Sequence, residues 1–195
     1  ADIYSTNAFT SLTLNALGGT ISVDSNITAG QVVAVAQAIN INGSVNSSGG
    51  SNGQIYLAGA TISILGSIGS NGSSQGSGSS QQTGGSNSVT RRQNGLNGAL
   101  LSDTNIYTST GGVINLIATG DINIGSNTNS NAYISANGVN GGLINIVSSG
   151  GTVNQYGVID ALGKLGSGGQ IIIAGSLSTN SIGGMIAADG LSLGG

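Results

Sequence analysis

Residues 30–49, GQVVAVAQAININGSVNSSG, lie over residues 53–72, GQIYLAGATISILGSIGSNG, without a gap at an offset of 23. A chain that matches itself in this way must place equivalent residues in equivalent surroundings, which stacked repeats do and few other folds can. Shorter echoes extend the pattern. GQIIIAG at 169–175 replays GQIYLAG at 53–59, and GGLINI at 141–146 matches GGVINL at 111–116. A seven-residue outline, small–x–aliphatic–x–small–x–Gly, occurs at 43–49, 66–72, 132–138, 157–163 and 184–190. Its aliphatic position falls at Val45, Ile68, Ile134, Ile159 and Ile186, with successive spacings of 23, 66, 25 and 27.

The residues between these markers read as strands. Ile39-Asn40-Ile41, Ile62-Ser63-Ile64, Ile122-Asn123-Ile124 and Ile144-Asn145-Ile146 each set aliphatics two apart around a small polar residue. That period belongs to a strand with one buried face. Glu is absent, Lys and Arg total 3, and Gly supplies 37 of 195 residues, so helix propensity is poor throughout. The expected fold class is therefore all-β, a parallel β-helix (β-solenoid) with coils of roughly 23–27 residues, because one such unit cannot bury its apolar face alone. In that frame Val45, Ile68, Ile134, Ile159 and Ile186 form an inward aliphatic column. Ser47, Ser70, Ala136, Ala161 and Ala188 form a second inward column where the section is narrow. Asn and Ser near the corners are expected to make side-chain ladders. The absence of Pro suits strands that pair on both edges. An irregular β-sandwich is the alternative, and it predicts no ungapped self-match.

The chain is expected to be one domain, 1–195, interrupted by a Ser/Gly-rich insertion at about 73–110. This insertion holds Arg91 and Arg92, two of the three basic residues. They suit a contact with a partner, a proteolytic site or simple solvation. A departure of this length is often functional.

Several function classes are excluded or disfavoured. A net charge of -3 with 5% charged residues gives no basic footprint for nucleic acid. No apolar run is long enough for a membrane-spanning helix. Without Cys or His there is no thiol chemistry and no thiolate or imidazole metal site. The acids are Asp2, Asp24, Asp103, Asp121, Asp160 and Asp189. Asp160 and Asp189 fall in neighbouring repeats but different columns, without a flanking base, so the chain reads as no enzyme, with no catalytic, metal or cofactor site. Repeated Asp of the calcium-binding kind is missing. Sequons at Asn26, Asn42, Asn46 and Asn71 arise readily in a sequence this rich in Asn and Ser.

The combined grammar, GG-x-I-x-L followed by I-x-I-x-G-x-I-x-A-x-G, resembles the repeat (shaft) region of large bacterial exoproteins of the filamentous-haemagglutinin type. The resemblance covers nearly all of the chain outside 73–110. It implies a right-handed parallel β-helix, an extracellular or cell-surface place, and a role in adhesion or fibre building. The secretion domain of that family carries Asn-Pro-Asn-Gly, and this chain contains no Pro, so it reads as shaft. Ala1 would suit a mature terminus, and the repeat grammar continues to the last residues, through Leu191, Leu193 and the final Gly-Gly.

The expected function is an extracellular structural protein forming or belonging to a fibre or surface filament. The partner is another copy, giving a homo-oligomer or polymer, or the next solenoid of a longer chain. The candidate self-assembly ends are Ile3, Leu12 and Leu14 at one side and Ile186, Leu191 and Leu193 at the other. The alternative is an adhesin that binds a surface or carbohydrate ligand through the insertion.

Overall fold

The computed structural model describes residues 11–47, 53–72, 74–75, 90–94, 98–102, 106–107, 110–179 and 184–190. Residues Ile3, Leu191 and Leu193 lie outside the described residues. The described chain is all-β, and its strands fall into six layers that follow the repeats. The first layer is β1 (Leu12–Val23) and β2 (Asn26–Thr28), and the second is β3 (Gln31–Ile41) and β4 (Ser44–Asn46). The third is β5 (Gln54–Gly59), β6 (Thr61–Ile64) and β7 (Ser67–Gly69). The insertion contributes β8 (Ser74–Gln75), β9 (Thr90–Asn94), β10 (Gly98–Ser102) and β11 (Ile106–Tyr107). The fourth layer is β12 (Val113–Ala118), β13 (Ile122–Ile124) and β14 (Tyr133–Ser135). The fifth is β15 (Leu143–Gln155) and β16 (Val158–Asp160), and the sixth is β17 (Gln170–Thr179) and β18 (Met185–Ala187).

Pairing between layers is parallel, and its register is the offset read from the sequence: Gln31 opposes Gln54 and Val45 opposes Ile68, 23 residues on in each case. Alternation then does the rest. Leu12, Val32, Ile55, Ile114, Ile144 and Ile171 stand in one row, and Leu14, Ala34, Leu57, Leu116, Ile146 and Ile173 in the next. The middle members of both rows are sealed, with Ile55, Ile114, Leu116, Ile144 and Ile146 at 0 to 1% exposure or below. Each such burial stabilises the fold by about 1.5–3 kcal/mol.

The expectation of a β-helix, or solenoid, is corrected by the strand pairings. Strands β3, β5, β12, β15, β13 and β6 pair in that order, and β6 returns to β3, so six strands close into a parallel barrel. Strands β1 and β17 lie outside the closure, on β3 and β15. The other sheet, β18-β16-β14-β7-β4-β2, is parallel and open. The physical reason is strand continuity. Ala36-Gln37-Ala38 carries no turn signal, so β3 runs on for 11 residues and pairs with β5 along one half and β6 along the other. Over 13 residues β15 likewise joins β12 and β13.

Close approach between layers explains one set of glycines. Gly53, Gly112, Gly142 and Gly169 each precede the first strand of a layer. A Cβ on Gly112 would fall on the carbonyl oxygen of Gly53, one on Gly142 on that of Gly112, and one on Gly169 on that of Gly142. No side chain fits there without moving backbone.

The insertion departs from the parallel scheme. Among the described residues its strands pair only with each other and antiparallel, β8 with β11 and, farther along the chain, β9 with β10. Arg91 and Arg92 fall on β9, opposite Leu101 and Leu100.

Candidate functional site

The five aliphatic positions of the seven-residue outline share one row. Val45 opposes Ile68, Ile68 opposes Ile134, Ile134 opposes Ile159, and Ile159 opposes Ile186. The first four are at most 1% exposed, whereas Ile186, on the edge strand β18, is 43% exposed. The small column lies beside it. Ser47 donates its hydroxyl to Ser70 at 2.8 Å, and Ser70 donates to the Gly53 carbonyl at 2.8 Å, so two buried hydroxyls satisfy each other and the backbone. Ala136 and Ala161, both fully buried, take the same place in later layers, and Ala188 is half-buried at the edge.

Asn side chains link layers as well. The Asn71 Oδ1 accepts the Ser135 hydroxyl at 2.6 Å and the Asn137 backbone N–H at 2.8 Å. The Asn137 Oδ1 accepts the Leu162 N–H at 2.6 Å. Each amide oxygen thus takes the N–H of a residue one layer on. Asn71 is 6% exposed, so this sequon is closed to modification in the folded chain.

Within this network sits the chain's most unusual group. Asp160, fully buried on β16, opposes Ser135 on one side and Ala187 on the other. Tyr133 donates its hydroxyl to Asp160 Oδ2 at 2.6 Å, while Oδ1 has no hydrogen-bond partner. Burial pushes the carboxyl from an ordinary 3.8 up to about 6, against the opposing pull of Tyr133, Asn137, Ser135 and the Lys164 charge. Alternation with Ile159 turns Asp160 to the face opposite the aliphatic row, which in a half-buried strand is the outward one. All three residues of β16 are in fact buried, so the strand is covered on both faces. The aromatic Tyr133 one layer away, with a hydroxyl that must find an acceptor, was the available signal.

The sign of the linkage follows from the raised value. Native Asp160 holds its proton more tightly than the unfolded chain does, so its stabilising contribution is complete below about pH 4 and is lost as pH rises through about 6. The loss is on the order of 3 kcal/mol from a shift of about two units. Asp160→Asn should remove this slope and be the more stable chain at pH 7. Denaturant melts between pH 3.5 and 7.5 measure it, and a stability that is flat or rises over that window contradicts a buried Asp160 carboxyl with a raised pKa.

Asp189 is exposed and lies two residues beyond the partner of Asp160, so no second acid joins the first. Among the described residues no three His, Cys, Asp or Glu side chains are grouped to hold a metal ion. The cluster can bind and release a proton. What remains as a candidate site for a partner is the pair of open edges. Strand β1 pairs only with β3, β17 only with β15, β2 only with β4 and β18 only with β16 among the described residues. Among the described residues no helix is long and apolar enough to cross a membrane. No family model, curated protein or solved structure matches the chain, and the resemblance to haemagglutinin-type repeats rests on its own residues.

Proposed function

We propose that this chain is an extracellular structural protein that forms, or belongs to, a fibre or surface filament by adding layer to layer at its sheet edges. One observation carries the reading. The rows that run from β1 to β17 are sealed in the middle layers and half open at both outer ones, while the row of the second sheet is open at Ile186 and closed at Ile27, which is 9% exposed. Leu12, Leu14 and Ile21 on β1 and Ile171 and Ile173 on β17 are only partly buried, although they continue rows whose inner members are dry. Unpaired edges with apolar side chains are sites for strand addition, and nothing charged in these rows guards them. Low overall charge leaves little repulsion between copies. The extracellular assignment rests on the haemagglutinin-like grammar.

Electron microscopy of the purified chain tests the proposal, with long unbranched fibres as the expected result. Leu14→Lys together with Ile173→Lys should leave monomers, because both edges would then carry a charge that docking must desolvate. An unmodified chain that stays monomeric at high concentration across a range of salt overturns the reading.

A second reading is favoured by the insertion. Two antiparallel pairs that, among the described residues, pair with neither main sheet have the pairing pattern of an arm rather than of a layer. An adhesin would present such an arm to a surface ligand. Replacing 76–105 with a short Gly turn should then abolish attachment to cells while leaving the β signal intact, and unchanged attachment dismisses it.

A further inference from the structure

We infer that a second copy docks in one particular register, with β1 of one chain pairing parallel to β17 of the next. Leu12 stands opposite Ile171, Leu14 opposite Ile173 and, on the other sheet, Ile27 of β2 opposite Ile186 of β18. This rests on the filament reading above and specifies its joint.

Direction is the first argument. Both main sheets are parallel throughout, so the free edges of β1 and β17 are opposite edges of one polarity. A translated copy presents the edge its neighbour lacks. Such a contact is heterologous and does not close, and it repeats without limit.

Side-chain chemistry is the second. The rows through Leu12 and Ile171, and through Leu14 and Ile173, are aliphatic, with Ala34 as the one small member. The row through Ile27, Val45, Ile68, Ile134, Ile159 and Ile186 is aliphatic at every step. The joint would place Ile or Leu against Ile at all three points, as the inner layers do. A slip of one residue would set Thr13 against the aliphatic row and turn Leu12 and Leu14 outward.

Space and charge agree. A recess of about 430 Å³ opens at the first layer, with Leu14, Ile21 and Ile27 on its apolar side and a larger polar side that includes Asp24 and Asn26. Among the described residues the outer edges of β1 and β2 are unpaired, and this recess lies beside them. The charged residues described on the outer layers are Asp24, between β1 and β2, and Asp189, after β18. They occupy different corners, so like charges do not stack.

The chain's lack of Cys permits a direct test. Thr13 and Ile172 are exposed, outward-facing positions that become neighbours only in this joint. Adjacent strands lie about 4.8 Å apart, within reach of a disulfide. Fibres of Thr13→Cys plus Ile172→Cys, once oxidised, should run as a ladder of covalent multimers on a non-reducing gel. Each single variant should stop at monomer and a trace of dimer. Thr13→Cys plus Ala174→Cys, displaced by two residues, should cross-link at least tenfold less. A fibre repeat of about 29 Å, six layers at about 4.8 Å, should appear in diffraction of the unmodified protein. If fibres form but the 13/172 pair gives no ladder, or the displaced pair gives an equal one, the joint is wrong and the filament reading stands. If the unmodified chain forms no fibres, both fall.

Discussion

Ile159→Asp is expected to unfold the chain at room temperature. Ile159 is fully buried between Ile134 and Ile186 in its row, and it belongs to the hydrophobic cluster that runs through both sheets. A carboxylate there loses its hydration with no partner offered, on top of the lost burial of the aliphatic chain, and such changes exceed about 4 kcal/mol. Asn145→Asp is the matched control. Asn145 is half-buried on β15, and its amide reaches Asn115 at 3.5 Å, a weak contact. Its replacement should cost less than about 1 kcal/mol. Thermal melts of the two variants side by side decide the matter, and equal tolerance would refute the placement of the rows.

Gly142→Ala should be nearly as damaging for a different reason. The added methyl would collide with the Gly112 carbonyl oxygen and the Gly111 backbone, and neither can rotate out of the way. The layers must separate locally, breaking pairing on both sides of β15, which we expect to cost about 3 kcal/mol or more. Gly19→Ala is the contrast. Its new methyl would find only the Ala16 oxygen at 3.6 Å and Cβ at 3.8 Å. That variant should melt within a degree or two of the parent chain.

These two positions also show what the sequence could reveal. The rows were legible because an offset of 23 can be counted, and because Ile or Val recurs at the same place in each outline. The closure of the barrel was not. It depends on Ala36-Gln37-Ala38 staying extended, and small neutral residues give no period and no turn signal to read. Asp160 was misplaced for a related reason. Alternation says which face a residue takes but not whether that face is covered, and β16 is buried on both. The pairing of β8 with β11 left no sign either, since Ser-Gln opposite Ile-Tyr is a pattern that loops carry by composition alone. The carbonyl neighbours of Gly53, Gly112, Gly142 and Gly169 belong to another repeat and have no trace in local sequence.

The insertion between the third and fourth layers bears on the order in which the chain assembles. The other steps in the row from Val45 to Ile186 join residues 23 to 27 apart, and Ile68 must wait for Ile134, 66 positions on. Chain-closure entropy grows only with the logarithm of loop length, so the longer step costs about 1 kcal/mol more than its neighbours. Burying one isoleucine outweighs that. The penalty is instead kinetic: the layers before the excursion and those after it have local partners and can form separately, and their meeting across Ile68 and Ile134 becomes the slow event of folding.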